Sequence, residues 1–352
     1  MSHSLQSLMK SGTKLWLDSV DPDLVLKNYK LGATGATSNP VIIESLIRTG
    51  RFDSTLATLL AQGLSDEDAA WALTDRIVSQ AEEVFMTVFK NSKGNDGYVS
   101  FELDPLLEDP QGLGGKLSLA ERVSRYTELG KKWSMGHPNR MIKVPATETG
   151  IAALEPLAAA GVPLNVTLIF TAAQYRKARE SVWRGAEALK NKSQFKSVYS
   201  VFVSRLDVYT EKNAANLSKE VQGQVGIVNA KLMWRENESF WQAHNLPLKQ
   251  EMVFASTGVK DPSLKAWKYV EALAGSDIQT NPPATNDAAD LSGVDFKAEL
   301  KIMPSAEVIS EIDTKVDMAK LEESLMADGV AKFVAPQKAL LALVKEKRAL
   351  LK

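Results

Sequence analysis

The chain has no cysteine in 352 residues. This excludes disulfides, thiolate metal sites and a cysteine nucleophile, and it fits a reducing compartment. Histidine is nearly as scarce: His3, His137 and His244 form no ligand-spaced pair and lie outside the strand-like runs. Zinc sites and serine-histidine-aspartate triads therefore find no support. Charge of one sign is also missing, with 42 basic against 43 acidic side chains. No overall field draws the protein to nucleic acid or an anionic membrane, so any anion site must be local. There is no apolar run of about 18 residues, and the N-terminal "MSHSLQSLMKSGTKLWLDSV" lacks an apolar core of signal-peptide length. A soluble, cytoplasmic protein is expected.

What is present is an alternation. Short apolar runs recur, each followed by a polar or capping residue and then a helical pattern: "KLWLDSV" (14–20), "LGATGATSNP" (31–40), "GYVSFELDP" (97–105), "RMIKVPAT" (140–147), "PLNVTLIF" (163–170), "SVYSVFVSRL" (197–206), "EMVFASTG" (251–258) and "SDIQTNPP" (276–283). Ser118 with Glu121, and Thr171 with Gln174, have the spacing of capping boxes that open helices. Strand-like runs alternating with helices predict a parallel sheet with helical crossovers. Eight such units suit an α/β fold of the (β/α)8 TIM-barrel kind better than an open doubly wound sheet, whose glycine fingerprint is missing. Residues 1–352 read as one barrel domain, with roughly 285–352 as appended helices packing on the barrel or at a subunit contact. "GLGG" (112–115) reads as a turn. "DSVDPD" (18–23) lacks the glycine and distal glutamate of a calcium loop.

In a barrel, catalytic groups project from the C-terminal strand ends into one mouth. Reading each run to its end gives Asp18, Asn39, Glu102, Lys143, Asn165 with Thr167, Ser200 with Arg205, and Ser256. Each has a structural explanation of its own: Asp18 could cap the helix beginning near Pro22, Asn39 could be an ordinary cap, and Thr167 could fill a strand. Lys143 is harder to explain, since it stands inside the apolar run "RMIKVP". An ammonium taken from water costs several kcal/mol unless it is paired or deprotonated. Two readings stay open: an internal salt bridge to Glu102 or Asp18, or a desolvated amine able to attack a ketone and form a Schiff base.

"GATSNP" (35–40), "MIKVPATETGIAAL" followed by "GVPLNVTLIFTAAQ", "SVFVSRLD" (200–207), and "FASTGVKDP" with "NPPAT" resemble, in order, the signatures of the transaldolases, Schiff-base enzymes of the class I aldolase type. The likeness runs from about Lys14 to Pro283, is weaker in the C-terminal helices, and is with the longer branch of that family. It implies that Lys143 is the Schiff-base lysine and Asp18 the carboxylate that takes the hydroxyl proton as the carbon-carbon bond breaks. Glu102, through a water held by Thr167, would assist loss of water from the carbinolamine. Asn39 and Asn165 would grip the hydroxyls of the three-carbon fragment. Arg205, Ser256 and Lys260 would bind the substrate phosphate, with Ser200 nearby. Many transaldolases carry arginine where Lys260 stands, and Lys260 lacks its two-pronged geometry. Phe202 stands where related fructose-6-phosphate aldolases place tyrosine, and its apolar ring is expected to favour transfer over free aldol cleavage. The implied substrates are sugar phosphates, without cofactor or metal, in a possible homodimer. The alternatives are a fructose-6-phosphate aldolase-like enzyme and a catalytically silent sugar-phosphate-binding paralogue.

Overall fold

In the computed structural model, which describes residues 3–351, all eight expected strands form: β1 (Lys14–Leu17), β2 (Gly35–Thr37), β3 (Val99–Glu102), β4 (Arg140–Pro145), β5 (Leu164–Ile169), β6 (Ser197–Phe202), β7 (Glu251–Ala255) and β8 (Ile278–Asn281). They pair in parallel and in chain order, and β1 pairs with β8 to close the ring. Helices lie between successive strands, so the architecture is a (β/α)8 barrel. The strands are shorter than the runs that announced them, because the runs continue past the strand ends into the turns and helix starts that follow. Both capping boxes form. The helix Pro22–Lys30 is capped by Asp21, not Asp18: Asp21 Oδ1 accepts from the backbone N–H groups of Asp23 and Leu24. Asp18 is thus left free of that duty.

Side chains alternate along each strand, and the closed ring turns this into layers. One face packs outward on the helices through Leu15, Leu17, Phe101, Ile142, Val144, Val166, Tyr199, Met252 and Phe254. The other face begins, low in the ring, with an apolar plug of Trp16, Tyr98, Met141, Val198, Val253 and Ile278. Two residues further along the same strands the inward positions become polar: Asp18, Ser100, Lys143, Ser200 and Thr280. The barrel therefore has a dry base and a polar upper layer. Beneath the plug, at the N-terminal end, Lys14 lies 2.9 Å from Glu251 Oε2, and the fully buried Lys196 pairs with the same carboxylate. Polar features at that end of a barrel serve stability, not chemistry.

Three helices follow the last strand: Pro283–Leu291, Ala306–Lys315 and the long Met318–Leu350, which contains Pro336. The long helix packs on the helices Pro40–Arg48 and Asp66–Asn91 and on the 3₁₀ turn Pro105–Glu108. This route carries it across the mouth of the ring. No helix among the described residues is long and apolar enough to cross a membrane.

Gly35 is a point where the ring tolerates no side chain. A Cβ there would fall 2.6 Å from both the Trp16 ring and the Tyr98 carbonyl. Overpacking of this kind costs about 1–3 kcal/mol. Gly35→Ala is expected to lower the unfolding free energy by that amount, read as a lower urea midpoint at unchanged m, and an unchanged midpoint would show that the plug yields easily.

Candidate active site

The register of the ring assembles the site. Glu102 lies beside Lys143, and Lys143 beside Asn165, across β3, β4 and β5; Pro145 lies beside Thr167. Neighbouring positions in parallel strands face the same way, so Glu102, Lys143 and Asn165 form one row across the inner wall. The Lys143 amine is buried, sits 2.8 Å from Glu102 Oε2, and donates to the Ser38 carbonyl at 3.1 Å. Of the two readings open in the sequence, the ion pair is present in the free protein, and it is the row geometry that creates it.

The carboxylates answer to this setting in the same direction. Burial pushes the Glu102 carboxyl up to about 7 from an ordinary 4.5, against the downward pull of Lys143. Burial also raises Asp18, opposed by the Lys143 amine and by the Thr37 hydroxyl, which donates to Asp18 Oδ1 at 2.9 Å. Thr37 is held in turn by Thr280, 3.1 Å away. Two buried acids thus flank one buried amine.

Above this row opens a cavity of about 640 Å³ lined by Asp18, Asn39, Lys143, Thr167, Ser200, Phe202, Arg205, Ser256 and Lys260, among others. The sequence-predicted residues therefore converge, with two exceptions. Glu102 lies behind Lys143 rather than on the cavity wall. Asn165 is fully buried, and its amide is occupied: Nδ2 donates to Ser100 Oγ at 2.8 Å, while Oδ1 accepts from Ser200 Oγ at 2.7 Å. Asn39 is both cap and wall, since its Oδ1 accepts from Ile42 N–H at 3.0 Å and its remaining polarity faces the cavity.

Two backbone irregularities shape the rim. Strand β5 slips register between Val166 and Ile169, and Leu168 within the slip has φ 56°. Ser256, directly after β7, has φ 55° and lies 3.1 Å from the Ser204 hydroxyl. Non-glycine residues in the left-handed region cost free energy and persist only where surrounding contacts enforce them. At Thr167 the hydroxyl is buried without a hydrogen-bond partner, and the same holds for Arg205 Nη1. Buried polar atoms are normally paired, so these two sites retain unused bonding capacity within the mouth. The Arg205 guanidinium stacks over Phe202 at 4.9 Å.

The helix Met318–Leu350 supplies wall residues that sequence reasoning did not single out: Ala331, Lys332, Phe333, Ala335 and Pro336. The Phe333 ring stands 5.6 Å from the Lys143 amine. Thr37 was also overlooked, although it lies within "GATSNP". A larger cleft, of about 770 Å³, is lined by Trp71, Asp104, Arg125, Lys132 and Trp133 and shares no residue with this cavity. No group of three or more metal-ligating side chains gathers among the described residues.

Fold and site together define a (β/α)8 protein with a buried amine between two acids at the floor of a mouth rimmed by cations. The chain belongs to the transaldolase/fructose-6-phosphate aldolase family, whose model matches residues 15–344 and so extends well into the long C-terminal helix. It is 31% identical to transaldolase 1 of Streptomyces coelicolor, over 97% of this chain and 94% of that protein. The transaldolase of Saccharopolyspora erythraea is also 31% identical, over 97% of each chain, and that of Thermobifida fusca is 30% identical over 99% of each.

The Glu102 shift gives a pH prediction. Its folded value near 7 lies above the ordinary 4.5, so the native state binds more protons between them. Stability from this group therefore falls as pH rises from about 4.5 to about 7 and is flat above. In Glu102→Gln that slope disappears. The urea midpoint of the variant minus that of the parent is expected to rise across this window, and a constant difference would contradict the shift.

Proposed function

We propose that the chain is a transaldolase, moving a dihydroxyacetone unit from a ketose phosphate to an aldose phosphate through a Schiff base on Lys143. The observation that carries this reading is the buried Lys143 amine, 2.8 Å from Glu102 and under the electrostatic influence of Asp18, at the floor of the family's cavity. The Lys143 amine attacks the ketose carbonyl carbon, giving a carbinolamine. Loss of water then needs a proton delivered to the departing hydroxyl. Glu102, which holds its proton to an unusually high pH, supplies it through a water bound by the unpartnered Thr167 hydroxyl.

The protonated imine withdraws electrons from the adjacent carbon-carbon bond. Asp18 takes the proton of the neighbouring hydroxyl as that bond breaks, which releases an aldose phosphate and leaves an enamine on Lys143. An incoming aldose phosphate reverses the sequence, and hydrolysis of the imine restores the amine. Phe202 and Phe333 line the cavity and exclude water from the enamine. Arg205, Ser256 and Lys260 hold the substrate phosphate, and Asn39 with Asn165 orients hydroxyls, Asn165 by way of the Ser200 hydroxyl it anchors.

On this reading the donor is sedoheptulose 7-phosphate or fructose 6-phosphate, and the acceptor glyceraldehyde 3-phosphate or erythrose 4-phosphate. These are sugars of the pentose phosphate pathway, in the cytoplasm. The chain works as one domain, since residues 318–350 complete the wall of the site formed by the strands.

Borohydride added with fructose 6-phosphate is expected to leave a stable adduct on the peptide containing Lys143, and Lys143→Arg to lose both adduct and transfer, since arginine does not give up its proton at working pH. Sugar-phosphate binding without an adduct would favour a silent binding protein. Release of free dihydroxyacetone at the same rate with and without an acceptor would favour an aldolase. Phe202→Tyr is expected to raise that release relative to transfer, measured as the ratio of the two products.

A further inference from the structure

The rim of the cavity holds Arg205, Lys260 and Lys332, and the carboxylate next to them is Asp328. Asp328 and Lys332 stand one helical turn apart on the helix Met318–Leu350, and their charged groups meet at 2.6 Å. Asp328 Oδ2 also faces Arg205 Nη1, at 3.8 Å. That distance is an ion pair but too long for a hydrogen bond, which agrees with Arg205 Nη1 having no hydrogen-bond partner. Gly329 lets the helix come this close: a Cβ there would fall 3.0 Å from Leu168 Cδ2 and 3.6 Å from Arg205 Nη1. The helix is therefore seated against the guanidinium, with a lysine and a counter-ion at its edge.

The charges do not balance locally. Three cations face the rim; Asp18 acts on Arg205 from the cavity floor, and on the helix side one acid, Asp328, is shared between Arg205 and Lys332. A phosphate dianion offers what the rim lacks, in charge and in acceptor oxygens. We infer that Lys332 is a ligand of the substrate phosphate, and that Asp328 is an internal anion which that phosphate displaces from Arg205 and Lys332. The inference rests on the transaldolase reading and goes beyond it: the helix outside the ring reads the phosphate, and Asp328 partly neutralises Arg205 and Lys332 until phosphate takes its place.

Inorganic phosphate, titrated calorimetrically into the full chain at low ionic strength, tests this without turnover. Asp328→Asn is expected to bind phosphate at least threefold more tightly than the parent, as one competitor is removed. Lys332→Met alone is ambiguous, because it also frees Asp328 for Arg205. The decisive comparison is Asp328→Asn against Asp328→Asn with Lys332→Met, where loss of the lysine is expected to weaken phosphate binding about tenfold, or about 1.4 kcal/mol. Both side chains are substantially solvent-exposed, so the variants are expected to fold. Glu323→Gln, the same charge change on the same helix away from the cavity, serves as control.

In kinetics, the double variant is expected to lose preference for phosphorylated over unphosphorylated acceptor by a similar factor. Equal phosphate affinity with and without Lys332 in the Asp328→Asn background would overturn the role of Lys332. An Asp328→Asn chain no tighter than the Glu323→Gln control would overturn the displacement. Either result beside normal borohydride labelling of Lys143 sinks this inference alone, whereas absence of labelling sinks the transaldolase reading beneath it.

Discussion

The rest of the structure depends on closure of the strand ring. Because β1 pairs with β8, every strand has a neighbour on both sides, and no edge is left open to solvent. Inward side chains then have no water to turn to except at the mouth, and most polar groups inside pair with one another across the ring, on adjacent strands or one strand further on. Lys143 finds Glu102 because the two are register neighbours, and Asn165 finds Ser100 and Ser200 on either side of its own strand row. The chemistry of the site is thus a consequence of pairing, not of a dedicated loop.

A buried amine and carboxylate are an expensive way to hold a fold together. Desolvating both costs several kcal/mol, and a well-packed apolar pair in their place is often at least as stable. Their presence directly above a dry apolar plug is better understood through what they can do. Burial raises the proton affinity of Glu102 and Asp18, while the amine between them opposes that rise. Both acids therefore hold their protons to higher pH than in water, beside a buried amine.

Much of this was legible in the sequence, and the reason is local. The eight strands showed as apolar runs because strands of a parallel sheet are largely buried, and several of their ends showed because a cap or a proline follows, as at Asn39-Pro40, Asp104-Pro105 and Thr147. Lys143 stood out because "RMIKVP" offers it no polar company. What remained hidden depended on contacts distant in the chain. Nothing in "DSVDPD" reveals that Asp21 takes the cap and frees Asp18. Nothing in "PLNVTLIF" announces the register slip that puts Leu168 in a left-handed conformation. The segment "MADGVAKFVAPQK" reads as an ordinary amphipathic helix, because amphipathicity records that a face is covered and not what covers it. That Phe333 should stand over Lys143 is settled by where the whole helix docks.

The docking of that helix also bears on the order in which the molecule is made. The ring is complete once β8 has been synthesised, yet part of the cavity wall lies in residues 318–350, which follow it. A ribosome therefore releases the strands before the segment that covers their mouth. The cavity wall is complete only when the last long helix of the chain docks across the ring.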